Sequence, residues 1–271
     1  MAKGTDQKYE NLCSALEREG KIAVAFSAGV DSTLLLRAAA DTLGSGRVLA
    51  VTALSNSFPE RENREAEQLC RDWNVRRIIL SVDQLSIPGF RENSPDRCYI
   101  CKKVLFSKMM EAAKEEGFDV LAEGSNMDDL SDYRPGLRAI AELGIKSPLR
   151  EAELSKKEIR EISGKLGLPT WNKPSLACLA TRFVYGETIS DEKLRRVELA
   201  ERLLQDLGFG QFRVRIHTEE GRLARIEVMP EEFPRLMENR VLIARRLREY
   251  GFDYVSMDLE GYRMGSMNEV L

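Results

Sequence analysis

No stretch of this 271-residue chain is apolar for the length of a membrane crossing, and no signal-peptide apolar core opens it. The expectation is a cytoplasmic protein with no membrane partner. A surplus of one charge is also missing. Forty-one basic residues stand against 44 acidic ones, a net charge of -3, and no basic block advertises RNA or DNA. Histidine occurs once, as His217, and there is no second CxxC, which disfavours a four-cysteine zinc ribbon. Five cysteines, an odd number without an export signal, argue against a disulfide framework and for thiols or a metal centre. Walker-type GxxxxGK[ST] is absent, and no GxGxxG marks the strand-to-helix turn near the N-terminus. Internal repeats and low-complexity segments are absent too.

What the chain does have is Lys21–Leu36, KIAVAFSAGVDSTLLL, around which the rest is organised. Ile22, Val24 and Phe26 with the small Ala23 and Ala25 suit a strand buried on both faces, and Leu34, Leu35 and Leu36 lead into an amphipathic helix. Between them, Ser27-Ala28-Gly29-Val30-Asp31-Ser32 sets hydroxyls and backbone N–H groups at a helix N-terminus, where aligned dipoles favour a phosphate. The plainer alternative is an ordinary turn capped by Asp31 or Ser32.

Hydrophobic content of 43% with 31% charge is that of a globular protein, and the length suits two domains. Helices are expected over Gln7–Arg18, Arg61–Trp73, Arg97–Glu116, Ser155–Leu166, Asp191–Leu207 and Glu231–Tyr250. The first, with Leu12, Ala15 and Leu16 on one face, reads as a lid or dimer element. Strands are expected at Val48–Leu54, Arg77–Val82, Val120–Leu121, near Phe212–Ile216 and Leu223–Val228, and at Tyr254–Met257. Ser155-Lys156-Lys157-Glu158 is a capping-box pattern. The strand–helix alternation implies a parallel sheet. A boundary falls within Trp171–Gly186, giving domains 1–180 and 181–271, the second smaller and α+β.

Several groups can carry chemistry. Cys98 and Cys101 form a CxxC at a helix start, where the dipole and Arg97, Lys102 and Lys103 would favour thiolates. With the distant Cys178 they could hold an iron–sulfur cluster on three ligands, leaving one iron open; a redox pair or buried thiols are alternatives. Cys13 and Cys70 sit among apolar helical positions and read as core. Glu123-Gly124-Ser125-Asn126-Met127-Asp128-Asp129, followed by Asp132, is rich in hard oxygen donors at a strand end and suits Mg²⁺; a solvated turn with Asx capping is the alternative. Arg213 and Arg215 alternate on one strand face opposite Glu227, and could clamp a phosphate or form a solvated sheet face. Arg182 is a second anion-binding candidate.

SAGVDS resembles the SGGxDS loop of the PP-loop ATP pyrophosphatases, with Ala28 in place of the first glycine. Because alanine resists positive φ, either that position is ordinary or the loop is slightly re-shaped. SAGVDS, RCYICKK, EGSNMDDLSDYRPG, WNKPSLACLATRFVYG, FRVRIH and ARIEV occur in the order found in the LarE family, the pyridinium-3,5-biscarboxylate mononucleotide sulfurtransferases, and the likeness covers nearly the whole chain. The resemblance implies an α/β fold, an adenine nucleotide α-hydrolase-like parallel sheet flanked by helices. It implies use of ATP to adenylate a substrate carboxylate and convert it to thiocarboxylate, twice, while the nickel-pincer nucleotide of lactate racemase is built.

Of the two versions of that family, the sequence is similar to the one holding a 4Fe-4S cluster rather than the one sacrificing a cysteine, whose position is Ala177 here. By that resemblance Cys98, Cys101 and Cys178 are cluster ligands. Ser27, Gly29, Asp31 and Ser32 hold ATP phosphates, Asp129 helps hold Mg²⁺, and Arg182, Arg213, Arg215 and Glu227 line the substrate site. The partner implied is a small mononucleotide, in a dimer or hexamer. A tRNA thiolase would call for a zinc ribbon and a basic stripe. An ammonia-using synthetase would leave the cysteine trio without a role, and pyrophosphate release would remove a non-catalytic nucleotide-binding protein.

Overall fold

The computed structural model describes residues 4–57, 60–130, 135–174, 178–218 and 220–269. The chain divides into two units, Met1–Val82 with Cys98–Ser175, and Asp83–Arg97 with Leu176–Leu271. The sequence places a single cut at 180/181. Asp83–Arg97 falls with the second unit because its backbone is taken up there: Gly186 N–H donates to Asn93 O at 3.0 Å and Ile189 N–H to Arg91 O at 2.8 Å.

In the first unit, α1 (Thr5–Glu19), β1 (Ile22–Ala25), α2 (Val30–Leu43), β2 (Val48–Ser55), α3 (Glu60–Asp72), β3 (Arg76–Val82), α4 (Arg97–Glu115), β4 (Leu121–Ala122), α5 (Pro135–Glu142), α6 (Pro148–Glu151) and α7 (Lys156–Lys165) follow in order. The four strands form one sheet, β3-β2-β1-β4, with every pairing parallel. Both faces are covered. Ile22 and Val24 pack with Leu12, Leu16, Leu34, Leu35, Ile159 and Ile162, while Ala23, Leu49 and Val51 pack with Phe106, Met109 and Ile140. That two-sided burial explains why β1 reads as an unbroken apolar run.

One expectation for α1 is corrected. Leu12 and Leu16 are completely buried in the core of the first unit. Lys8 bridges to Glu158 at 2.8 Å, and Lys165 to Asp6 at 2.9 Å. The helix is part of this unit's core, not a lid. Cys70 is buried, and desolvation pushes its thiol up to about 11, as a core cysteine requires. Cys13 is half-buried.

In the second unit, α8 (Asp191–Asp206) is followed by β5 (Phe212–His217), β6 (Leu223–Val228), α9 (Phe233–Glu238), α10 (Arg240–Glu249) and β7 (Tyr254–Met257). The sheet runs β5-β6-β7, the first pair antiparallel and the second parallel. The single helix expected over Glu231–Tyr250 is broken at Asn239. Its Nδ2 donates back to Arg235 O at 2.9 Å, the local bond by which asparagine competes with a helix ladder. Among the described residues no helix is long and apolar enough to cross a membrane.

Candidate functional site

The first unit gathers its chemistry at the C-terminal end of β1, where an open parallel sheet holds ligands. Phe26 N–H still pairs with Val51 O at 2.9 Å, and the chain then leaves the sheet. Ser27 N–H donates to Ser32 Oγ at 3.3 Å, the two hydroxyls lie 3.2 Å apart, and Ser32 Oγ donates to Gly29 O at 3.3 Å. These bonds fold residues 27–32 over the first turn of α2. Ala28 does not relax to an ordinary conformation. It keeps a φ of 53°, the left-handed conformation a glycine would adopt, at a cost of about 1–2 kcal/mol for an L side chain. It is also completely buried.

The acidic turn comes against this loop. A methyl group on Gly124 would lie 3.1 Å from Ser32 N and 3.2 Å from Asp31 Cβ, so a side chain there would push the loop away by a few tenths of an ångström. Asn126 Nδ2 donates to Asp31 Oδ1 at 3.2 Å, and Lys156 Nζ pairs with the other Asp31 oxygen. Asp129 accepts from Asn126 N–H at 3.0 Å, and Asp128 from Lys156 N–H at 2.8 Å. Ser155 and Glu158 form the expected capping box at the start of α7, which fixes where Lys156 emerges. Glu123 differs from its neighbours. Buried, it accepts from Ser125 N–H and Oγ and from Ser147 Oγ at 2.6 Å, so both of its oxygens are taken up by neighbouring donors. Asp132 lies outside the described residues.

Among the described residues, no three His, Cys, Asp or Glu side chains stand together so as to hold a metal ion. A magnesium–ATP site does not need three, since Mg²⁺ is commonly held by one or two carboxylates plus the phosphates themselves. Asp31 and Asp129 fit that description. For the cysteines the donor chemistry fits an iron–sulfur cluster: Cys98, Cys101 and Cys178 are thiols outside any disulfide, half-buried, buried and exposed respectively. Two of the cations expected to favour their thiolates bind other groups. Arg97 donates to Asn93 and to Ala180 O, and Lys103 to Glu142 and the Tyr99 hydroxyl. Ala177 lies outside the described residues.

In the second unit the arginines are not a solvated face; they are buried among carboxylates. Arg182 is completely buried and grips both oxygens of Glu201, at 2.7 and 2.8 Å. Burial works to raise the Glu201 carboxyl, but Arg182 beside it holds it below the usual range. Arg215 pairs with the completely buried Glu227 at 2.9 Å and donates to Thr181 O and Ser266 Oγ. Arg225 reaches Glu227 at 3.1 Å and Asp258 at 2.7 Å. Arg213 is buried beside the Tyr262 ring, and desolvation, helped by the like charge of Arg182, pushes its guanidinium down to about 10. Arg182 and Glu227, expected to line the substrate site, thus stand in buried ion pairs. His217 ends β5 half-buried, with no partner at Nε2 among the described residues.

Two lysines at the phosphate loop were not singled out by sequence. Lys156 stands inside the capping-box pattern and Lys173 inside WNKPS, so each lies in a recognised motif without a chemical signal of its own. Lys173 donates to Ala28 O at 3.0 Å and pairs with Glu62 at 2.6 Å.

No family model matches the chain. It is 40% identical over 268 residues to an uncharacterised protein of Synechocystis, covering 98% of each chain. It is 36% identical over 264 residues to the pyridinium-3,5-bisthiocarboxylic acid mononucleotide synthase of Lactiplantibacillus plantarum, covering 97% of this chain and 95% of that one. A more distant likeness, 26% over 161 residues, joins 56% of this chain to 40% of an argininosuccinate synthase of Natronomonas pharaonis.

Proposed function

The chain belongs to the family of the pyridinium-3,5-bisthiocarboxylic acid mononucleotide synthases, and we propose that it is an ATP-dependent sulfurtransferase converting carboxylates of a pyridinium biscarboxylate mononucleotide to thiocarboxylates. The observation that carries this reading is the end-to-end likeness to the Lactiplantibacillus plantarum synthase, joined to a phosphate loop bent over the start of α2.

A carboxylate resists substitution because its leaving group would be oxide, and adenylation exchanges that for AMP. Ser27, Gly29 and Ser32 present hydroxyl and N–H donors to the ATP phosphates, and Asp31 with Asp129 offers hard oxygens to Mg²⁺. Asp31 is held by Lys156 and Asn126. Binding of the metal would exchange a lysine contact for a cation contact and leave an ammonium beside the phosphates, where it offsets charge as pyrophosphate departs. Arg213 and Arg215 are the proposed contacts of the mononucleotide, oriented by Arg182 and Glu227, and 181–271 is the proposed substrate domain.

Cys98, Cys101 and Cys178 are the proposed ligands of a 4Fe-4S cluster, which when bound supplies an iron with an open position for a sulfide. The same reading makes the protein cytoplasmic and homo-oligomeric, acting on a small molecule and not on nucleic acid. The test is incubation of the anaerobically purified protein with ATP, Mg²⁺, sulfide and the biscarboxylate mononucleotide. AMP and a thiocarboxylate product are expected; ADP in place of AMP would exclude adenylation.

A further inference from the structure

Lys173 lies 145 residues from Ala28 in sequence, yet its Nζ donates to the Ala28 carbonyl at 3.0 Å. The same ammonium pairs with Glu62 at 2.6 Å and with Glu65. A lysine ammonium has three donors, and these acceptors use them. The Lys173 side chain is 11% exposed and that of Glu62 7%, so the bond to Glu62 is charge-assisted and shielded from water, while Glu65 is 41% exposed. Its backbone is pinned as well: Arg160 on α7 donates to Trp171 O at 2.8 Å and to Lys173 O at 2.7 Å.

Peptide planarity gives this cluster a bearing on phosphate binding. A trans peptide points its C=O and its N–H in opposite directions. Holding the Ala28 oxygen on Lys173 therefore fixes the direction of the Gly29 N–H. Ala28 carries a positive φ that glycine adopts freely and alanine does not. An unrestrained loop would relax from that conformation and turn the Gly29 N–H with it. The loop with alanine at position 28 thus depends on an external hold that a glycine loop would need less.

We propose that Lys173 is a positioning residue for the ATP phosphate loop: it clamps the Ala28–Gly29 peptide so that the Gly29 N–H stays presented to the phosphates, while Glu62 and Glu65 hold the ammonium in place. The proposal rests on the assignment of residues 27–32 to the phosphates of ATP. It differs from a lysine that merely ties α3 to the loop, which would leave ATP affinity alone. It differs also from a lysine that touches a phosphate itself, whose loss a change at residue 28 could not repair.

The test is direct titration of ATP, with the KM for ATP in AMP formation, on the native protein, K173Q, A28G and the A28G/K173Q double variant. Loss of one oriented charge-free donor should weaken ATP about tenfold in K173Q. In the double variant ATP should return to within about threefold of A28G, because glycine holds the positive φ without strain. Native protein that binds ATP together with a K173Q that binds it equally well would overturn the clamp alone. A K173Q defect that persists undiminished in the A28G background would also overturn it. Native protein that does not bind ATP would overturn the site assignment and the clamp with it. Should K173Q fail to fold, E62Q/E65Q releases the same ammonium; weaker ATP binding is expected there, and unchanged binding would overturn the proposal.

Discussion

At the scale of single residues, Asp31 carries the sharpest expectation. Its carboxylate sits part-exposed between Lys156 and Asn126, so alanine removes a metal and phosphate determinant without opening a core cavity. AMP formation by Asp31→Ala should fall at least about a hundredfold, since the residue acts on charge that builds in the transition state. The urea midpoint should move little, and a folded variant with native activity would remove Asp31 from the site. Glu187 gives a pH-dependent expectation. Burial raises its carboxyl to about 7 from the ordinary 4.5, and its Oε2 has no hydrogen-bond partner among the described residues. Between those values the unfolded chain releases a proton that the folded one keeps, so stability falls as pH rises through the window and stays lower above it. Glu187→Gln should therefore melt higher than the native protein at about pH 8 and much like it below pH 4.5. Equal melting at both pH values would show that Glu187 is not buried in solution.

What sequence could show at this scale was local. Ser27, Gly29, Asp31 and Ser32 announce themselves because hydroxyls, glycine and acid crowd one strand-to-helix turn, and the structure folds them together. Lys173 and Lys156 lie 145 and 125 residues from their loop partners, and nothing in their own neighbourhoods marks them. The burial of Arg182, Arg213, Arg215 and Glu227 was equally hidden, because alternation on a strand fixes a face but not what covers it.

Among the elements, the β1 and β2 strands and the helices that flank them were legible from apolar runs and period, to within a residue or two at their ends. Their packing was not. A short amphipathic helix at the start of a chain looks the same whether it docks or swings, and only the burial of Leu12 and Leu16 shows that α1 belongs to the core. Leu16→Ala should accordingly destabilise the first unit by about 2–5 kcal/mol, read as a fall in the urea midpoint. An unchanged midpoint would return α1 to the role of a loosely held lid. The break at Asn239 was invisible for a different reason: asparagine is tolerated in helices, and its return bond to Arg235 O depends on the rotamer it takes.

For the whole molecule, the division into two units does not follow the order of the chain, since Asp83–Arg97 folds with a segment that comes nearly a hundred residues later. The proposed adenylation groups, Ser27, Gly29, Asp31, Ser32 and Asp129, include no cysteine, so the two halves of the chemistry are separable by mutation. Alanine at Cys98, Cys101 or Cys178 should remove iron and sulfur transfer, measured by metal analysis and thiocarboxylate yield, while substrate-dependent AMP formation persists. Loss of AMP formation in all three folded variants would argue that these thiols serve the adenylation site instead. The most direct measurement is of products from the native protein, anaerobic, with ATP, Mg²⁺, sulfide and the biscarboxylate mononucleotide. AMP and thiocarboxylate in equal amounts, over several turnovers and with Cys178 unmodified by intact-protein mass, are expected. ATP left intact, or consumed to ADP without any thiocarboxylate, would contradict the assignment of this chain as an adenylating sulfurtransferase.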